Sequence, residues 1–367
     1  MSFLWHPQAR LFAGDALRPG APQSGALPDD PQSLCHLGAH DFRIGGPSVE
    51  PSGAPRGFET LTGGTSGHPR RIARTAASWQ ASFAVNQGLF GIGPGVRTAV
   101  LGRLVHSLAL YGALESLSLG ADLHVLSHLS PRAQGAALAG IDLLYATPAQ
   151  LRLILEASGP ELALRCLLVG GSKLDAGLRA AFRARAPVCT IHEFYGAAEA
   201  SFVTLAGPDT PEASVGRPYP GVDLRIEEGE IWVKSPYLFT GYASDPGSAR
   251  WVGDWLVLGE TGWLQDGFLY LRGRLSRMVK VADQAAYPEE IEAFLMAQPG
   301  VTRAAVTATP DALRGARLIA HVMGTAPDAA LLPALRQAFG PLKAPREIRR
   351  PATWPMLASG KTDLSAL

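Results

Sequence analysis

TAVLGRLVHSLALYGALESLSLGADLHVL, residues 98–126, holds the pattern that sets the fold class. Thr98–Leu104 is a short, mostly apolar run of the kind found in a strand covered on both faces. Leu108–Leu119 has the length and spacing of a helix, and Asp122–Leu126 is strand-like again. The same alternation continues on both sides. Downstream come a helix over Ala133–Ala139, a strand at Leu143–Tyr145, a helix over Pro148–Ala157, a strand at Cys166–Val169 and a helix over Asp175–Arg185. Upstream are a helix over Thr75–Gly91, with Trp79, Phe83 and Leu89–Phe90 on one face, and a short strand at Phe58–Leu61. Strands alternating with helices predict an α/β fold with a mostly parallel sheet.

The ends of the chain have a different texture. Residues 1–56 are rich in Pro, Gly and Asp and read as irregular structure with short elements, a lid or an edge. After Gly207, short strands separated by turns (Val222–Ile226, Glu230–Val233, Trp255–Leu258, Phe268–Arg272) predict a small antiparallel segment. From Arg274 onward, a helix over Glu289–Ala297, strands at Ala304–Thr309 and Leu318–Val322, and a helix over Ala329–Phe339 read as a small α+β domain. The boundary falls near Ser276, giving a large domain over residues 1–275 and a small one over 276–367.

With 367 residues, 47% hydrophobic and 18% charged, the chain can bury one large core and a smaller second one. A net charge of +1 offers no basic field for nucleic acid. Basic residues are mostly Arg; Lys stands only at 173, 234, 280, 343 and 361. Cys35, Cys166 and Cys189 lack metal-ligand spacing and fit a reducing compartment. No signal peptide and no apolar stretch of membrane-spanning length is read, so the expected location is the cytoplasm.

Leu61–Arg71, LTGGTSGHPRR, is the densest cluster of Gly, Thr and Ser. Its backbone N–H groups and hydroxyls can surround phosphate oxygens, and Arg70 and Arg71 add positive charge. The Lys-Ser/Thr pair of a Walker A loop is absent. Taken alone, the loop fits a phosphate cradle or an ordinary connector. No G-x-G-x-x-G follows the first strand, which argues against a dinucleotide-binding dehydrogenase.

Five stretches follow in order: TGGTSGHPR (62–70), YGAAE (195–199), GETGWLQDGFLYLRGR (259–274), MVKVADQAAYPEEIE (278–292) and ASGKTDLSAL (358–367). With softer matches at 103–126, 167–174 and 214–242, they make residues 58–367 resemble the adenylate-forming, or acyl-activating, enzymes. That superfamily includes AMP-dependent acyl-CoA synthetases, aryl-CoA ligases and peptide-synthetase adenylation domains. In size the chain is similar to some o-succinylbenzoate-CoA ligases. The resemblance implies that a carboxylic acid and ATP give an acyl-adenylate and pyrophosphate, and that the acyl group then passes to CoA or to the phosphopantetheine of a carrier protein. Such chemistry calls for positioning and charge stabilisation rather than a covalent nucleophile.

The resemblance also implies roles. Thr62, Gly64, Thr65, Ser66 and Gly67 would hold the β- and γ-phosphates, with Arg70 where Lys is usual. Gly170, Gly171 and Ser172 would border the adenine, against which Tyr195 and Gly196 lie; Tyr195 also fits a plain core aromatic. Glu199 would hold Mg²⁺, a hard ion suited to carboxylate oxygen. Glu260 and Arg274 would lie near the ribose. Lys361 would bridge the carboxylate and the α-phosphate as a catalytic residue, and His106 would gate the acyl site, near Tyr111 and Phe194. Ser276 would be the hinge between two orientations of the small domain, one presenting Lys361 and the other the Lys280–Asp283 loop to the thiol.

Three substitutions depart from the pattern. Ala198 replaces a Thr, Glu260 an Asp, and Asp283 a Gly on the thiol side, which predicts a weakened or altered second step. Relatives carry a longer N-terminal region, so the acyl site is expected to be open or completed by a partner, such as an acyl carrier protein or a second copy in a homodimer. The alternative is a degenerate relative that binds a nucleotide or acyl-adenylate without turnover; retained Glu199, Arg274 and Lys361 oppose it.

Overall fold

The computed structural model describes residues 2–38, 41–45, 57–62, 70–157, 159–357 and 361–367. These divide into two compact units, one built from residues up to 224 together with 233–256, the other from 225–232 and 257–367.

In chain order the first unit opens with β1 (Arg10–Ala13), β2 (Asp15–Leu17), β3 (Gly25–Leu27), β4 (Phe42–Ile44), β5 (Phe58–Leu61) and β6 (Arg71–Arg74). There follow α1 (Ala76–Phe90), β7 (Arg97–Val100), α2 (Ser107–Leu119), β8 (Asp122–Val125), α3 (Pro131–Ala137), β9 (Leu143–Ala146), α4 (Pro148–Glu156), β10 (Cys166–Val169) and α5 (Ala176–Arg185). Then come β11 (Thr190–Ala197), β12 (Ser201–Leu205) and β13 (Arg217–Pro218). The principal sheet has the order β13-β12-β11-β10-β9-β7-β8-β1-β2. The pairs from β1–β8 through β10–β11 are parallel. β9 (LLYA) and β10 (CLLV) are buried at every position, which is why they lack polar alternation. Leu144, Leu167, Val169, Leu151, Ile154, Leu178 and Phe182 form the core between these strands and the helices on one face. The helix starts are written in the sequence. Thr147 and Gln150 make a reciprocal capping box with Pro148 at the first helical position, and the Asp175 carboxylate accepts from Leu178 N at 2.8 Å.

A second sheet runs β4–β5–β6 with β3 outside β4, and β16 (Gly241–Tyr242) pairs antiparallel with β6. The N-terminal stretch is therefore more ordered than its composition suggests. β1 joins the principal sheet in parallel with β8, Leu11 opposite Leu123, and Arg10 Nε donates to Asp122 Oδ1 at 2.7 Å. Four residues of strand set among Gly and Pro are too few to show a period, and their partner lies far along the chain. Phe3, Phe42, Phe58 and Trp79 pack against one another beside this sheet, Phe42 stacked on Phe58 and the other pairs edge to face or tilted.

The strands after Gly207 form another sheet in the order β14 (Asp223–Glu227), β15 (Glu230–Lys234), β18 (Trp255–Gln265), β17 (Trp251–Val252), with β19 (Phe268–Arg274) also on β18.

The second unit continues with the hairpin β20 (Val279–Val281) and β21 (Gln284–Ala286), α6 (Pro288–Met296), the long antiparallel pair β22 (Val301–Asp311) and β23 (Gly315–Gly324), α7 (Asp328–Lys343) and β24 (Glu347–Arg349). β24 runs parallel to β23. Ile291 and Leu295 of α6 and Leu331 and Leu335 of α7 cover Val306, Leu318, Ala320 and Val322. This is the small α+β body read from the sequence. All three cysteines are free, and among the described residues no helix is long and apolar enough to cross a membrane.

Candidate functional site

In open α/β sheets ligands bind beyond the carboxyl ends of parallel strands, because loops and helix N-termini converge there. Gly170, Gly171 and Ser172 leave the carboxyl end of β10, and neighbouring β11 carries Phe194, Tyr195 and Gly196 past it. The two segments fit only with glycines. A Cβ on Gly170 would lie 2.5–2.8 Å from the Phe194 ring, and one on Gly196 would lie 2.1 Å from the Ser201 carbonyl oxygen. At Gly196 the β11–β12 register shifts by a bulge, and the chain turns tightly through Ala198–Ala200, with Ala200 N donating to Ala197 O. Glu199 lies in this turn.

Arg74, at the end of β6, pins the turn from below. Its guanidinium is fully buried and donates to Ala198 O from Nη2 at 2.8 Å and to Tyr237 O from Nη1 at 2.7 Å. Burial lowers its pKa to about 9, while Glu199 and Tyr111 push the other way, so it remains a cation at neutral pH.

The Glu199 side chain is held by a residue that sequence reasoning did not single out. Tyr242 Oη donates to Glu199 Oε1 at 2.9 Å, and the Arg70 guanidinium lies over the Tyr242 ring, 3.2 Å from its centroid. Burial raises the Tyr242 phenol first, and the Glu199 carboxylate raises it further, so it stays a donor. Arg70 also donates to Ser248 Oγ. Tyr242 closes the 214–242 stretch, which the sequence marks only as a softer match; its tie to Glu199 exists only because β16 pairs with β6.

Thr62 and Arg70 close the mouth of the glycine-rich loop. Thr62 N donates to Arg70 O, and Arg70 N donates to Thr62 Oγ1, both at 2.8 Å. Gly64, Thr65, Ser66 and Gly67 lie outside the described residues. His106, just before α2, bridges in parallel to Leu61, and Leu61 N donates to Val105 O at 3.0 Å. The base of the loop and His106 are thus neighbours. Tyr111, expected near the acyl site, is instead buried against Trp79 and Phe83, with its hydroxyl bonded to Ser82. Five residues of helix beyond His106 rotate it to the core-facing side.

In the second unit Glu260 and Arg274 face each other across β18 and β19, with Arg274 Nε donating to Glu260 Oε1 at 3.0 Å. Ser276 occupies a single 3₁₀ turn, Leu275–Arg277, whose Arg277 is tied to Glu289 at 3.2 Å and to Glu292 at 2.7 Å. Lys280 is exposed on β20, and Asp283 is exposed in the two-residue turn that follows, behind Ala282 at φ +56°. Lys361 is half-buried; its carbonyl accepts from Leu357 N at 2.8 Å, and Met356 bridges to Thr362. Its backbone is anchored rather than frayed.

No group of three or more His, Cys, Asp and Glu side chains that could hold a metal occurs among the described residues. Glu199 nevertheless suits Mg²⁺. One carboxylate held through Oε1, with no hydrogen bond to Oε2 from the described residues, is the donor set of an ion that takes its remaining ligands from phosphates and water.

The family model described as AMP-binding enzyme matches residues 58–243, and that of the AMP-binding enzyme C-terminal domain matches 290–361. The chain belongs to the AMP-binding enzyme family. The AMP-binding enzyme model takes in the glycine-rich loop, His106, the Gly170–Ser172 turn, Glu199 and Tyr242; the C-terminal model reaches Lys361. A similar relative is the uncharacterized acyl-CoA ligase YhfT of Bacillus subtilis, 30% identical over 82% of this chain and 66% of that protein. The amide bond synthetase McbA of Marinactinospora thermotolerans is 26% identical with a TM-score of 0.72, over 89% of this chain and 74% of that one. The o-succinylbenzoate-CoA synthetase MenE of Bacillus subtilis, solved with an acyl-adenylate, has a TM-score of 0.72 at 23% identity, over 84% and 68% of the two chains, and shares the fold of this AMP-binding enzyme. The chain spans between just under half and two thirds of the length of the curated relatives it matches.

Proposed function

We propose that this AMP-binding enzyme is an AMP-forming acid–thiol ligase. It activates a carboxylic acid with ATP, releases pyrophosphate, and passes the acyl group to CoA or to a carrier-protein pantetheine. The observation that carries the reading is the cluster at the carboxyl edge of the parallel sheet. There the Tyr195–Glu199 segment lies beside Gly170–Ser172, and Tyr242 meets Glu199 with its hydroxyl and Arg70 with its ring face.

In this reading the backbone at Gly170–Ser172 and the ring of Tyr195 bind adenine. Thr62, the loop residues Gly64–Gly67 and Arg70 hold the phosphates. Glu199 holds Mg²⁺, which when bound supplies charge neutralisation to the phosphates. Glu260 and Arg274 bind the ribose, and their mutual ion pair at 3.0 Å holds the two side chains together for it. Lys361 offsets the charges of the acid and the α-phosphate as they meet. The boundary at Ser276 between domains 1–275 and 276–367, the hinge at Ser276, the gating role of His106, the thiol-side role of Lys280 and Asp283, a cytoplasmic location, and an acyl carrier protein or a second copy as partner belong to the same proposal.

Hydroxylamine trapping over a panel of carboxylic acids, with ATP and Mg²⁺, tests this directly. Acid-dependent hydroxamate in the parent enzyme, falling by roughly 10²-fold or more in Lys361→Ala, is the expected result. Added CoA should divert the adenylate to thioester. McbA is an amide bond synthetase, so an amine acceptor is the competing outcome, favoured here by the Asp283 carboxylate on the acceptor-side loop. ATP binding without hydroxamate from any acid would point to the non-catalytic binder.

A further inference from the structure

Glu199 and Arg70 carry opposite charges, yet no ion pair forms between them among the described residues; the Tyr242 ring intervenes. Its hydroxyl takes one oxygen of the carboxylate, and its face seats the guanidinium. We propose that Tyr242 is a positioning residue and spacer: it keeps Glu199 and Arg70 from neutralising each other and presents both to the Mg²⁺-bound triphosphate. The proposal rests on the reading that this site binds ATP with Mg²⁺.

The fixing of Tyr242 supports that role. Its strand is stitched to the strand that follows Arg70: Tyr242 lies opposite Ile72, Thr240 N donates to Ala73 O, and Ala243 N donates to Arg71 O, both at 2.9 Å. Phe239, three residues earlier, packs edge-on against the Tyr242 ring at 5.1 Å, and its backbone N–H donates to the Glu199 carbonyl at 2.8 Å. One short segment thus fixes both the backbone and the side chain of Glu199 and the seat of Arg70.

A direct Arg–carboxylate fork would be the stronger contact and would occupy the oxygens a metal needs. A ring face holds a guanidinium less tightly, so the cation can move onto a phosphate. Oε1 of Glu199 is held by a neutral donor, which leaves the carboxylate charge intact for a divalent ion.

The test uses the full chain and reads ATP binding by calorimetry with and without Mg²⁺, alongside kcat and KM for ATP. Tyr242→Phe keeps the seat and removes the bond to Glu199. Mg²⁺-free ATP binding should stay within twofold of the parent, while the enhancement by Mg²⁺ should fall about tenfold. Tyr242→Leu removes the spacer too, and Mg²⁺-free ATP binding should weaken about tenfold as Arg70 folds onto Glu199. Adding Glu199→Gln to Tyr242→Leu should restore Mg²⁺-free binding, because the amide no longer captures the guanidinium. A structural role alone would give no such rescue. A Tyr242→Phe protein with the parent's Mg²⁺ enhancement, or a double variant no better than Tyr242→Leu, overturns the spacer. A parent protein whose ATP binding ignores Mg²⁺ overturns the functional reading as well.

Discussion

Replacing Glu115 by Gln should change how the stability of the first unit depends on pH. Glu115 sits on α2 with no exposed surface. Its Oε1 accepts from Asn86 Nδ2 at 2.8 Å and from Tyr111 Oη at 3.3 Å, and Tyr145 Oη donates to Oε2. Burial raises the carboxyl from 4.5 to about 8, and the three donors offset only part of that effect. The folded protein therefore holds a proton here that the unfolded chain releases above its ordinary pKa. The stability this proton lends is fully present below about 4.5 and is lost as pH rises toward about 8. The gap of about 3.5 pH units, at 1.36 kcal/mol per unit, sets a ceiling of about 5 kcal/mol over that window. That is a large part of the 5–15 kcal/mol typical of a domain.

A glutamine fits the same donors and acceptors, since both tyrosine hydroxyls can turn to accept, and it does not titrate. Urea unfolding followed by tryptophan fluorescence, to which Trp79, 5.1 Å from Tyr111, contributes from this core, reads the stability. Parent and Glu115→Gln should match near pH 5, and the variant should gain on the parent by roughly 1.4 kcal/mol per pH unit between pH 5 and 8. Parallel pH profiles, or a variant weaker than the parent at pH 8, would refute the reasoning, because the carboxyl would then be ionised in the fold.

Gly196→Ala sets a Cβ 2.1 Å from the Ser201 carbonyl; the turn carrying Glu199 must shift, with a loss of about 1–3 kcal/mol in urea unfolding and of ATP binding by calorimetry. Ala282 pays for a left-handed conformation at φ +56°. Ala282→Gly should therefore stabilise the second unit by about 0.5–1 kcal/mol after the entropy cost of glycine, seen as a melting shift of about 2–5 °C; an unchanged or lower melting temperature would contradict it.

The parallel core was legible because strands covered on both faces are apolar throughout and helix-length stretches alternate with them. β1 was not, since its pairing depends on a strand 112 residues away rather than on a local period. The linear motifs gave the site residues their order, but the contacts between motifs needed the fold. Tyr242 meets Glu199 only through the pairing of β16 with β6. Glu260 faces Arg274 for a subtler reason. From Gln265 opposite Phe268 the hairpin would place Glu260 against Gly273, and a bulge beyond Gly262 advances the register by one residue. A one-residue slip also exchanges the faces of a strand, so the bulge decides which side chain the Glu260 carboxylate meets.

The pairing of β1 with β8 has a consequence for how the chain is made. Arg10–Ala13 finds its parallel partner only after Asp122–Val125 has been synthesised. At 5–20 residues per second that is a delay of roughly 6–20 seconds. Through that interval Leu11 and Phe12 can pair only with the adjacent β2, and once β8 docks on β7 its outer edge stays open until the β1–β2 hairpin arrives. Closure of that edge is a long-range, late event, slow for the same entropic reason that makes parallel sheets slow in general. The nascent chain is most exposed to mispairing there, four strands along the sheet from the Gly170–Ser172 turn that leaves β10.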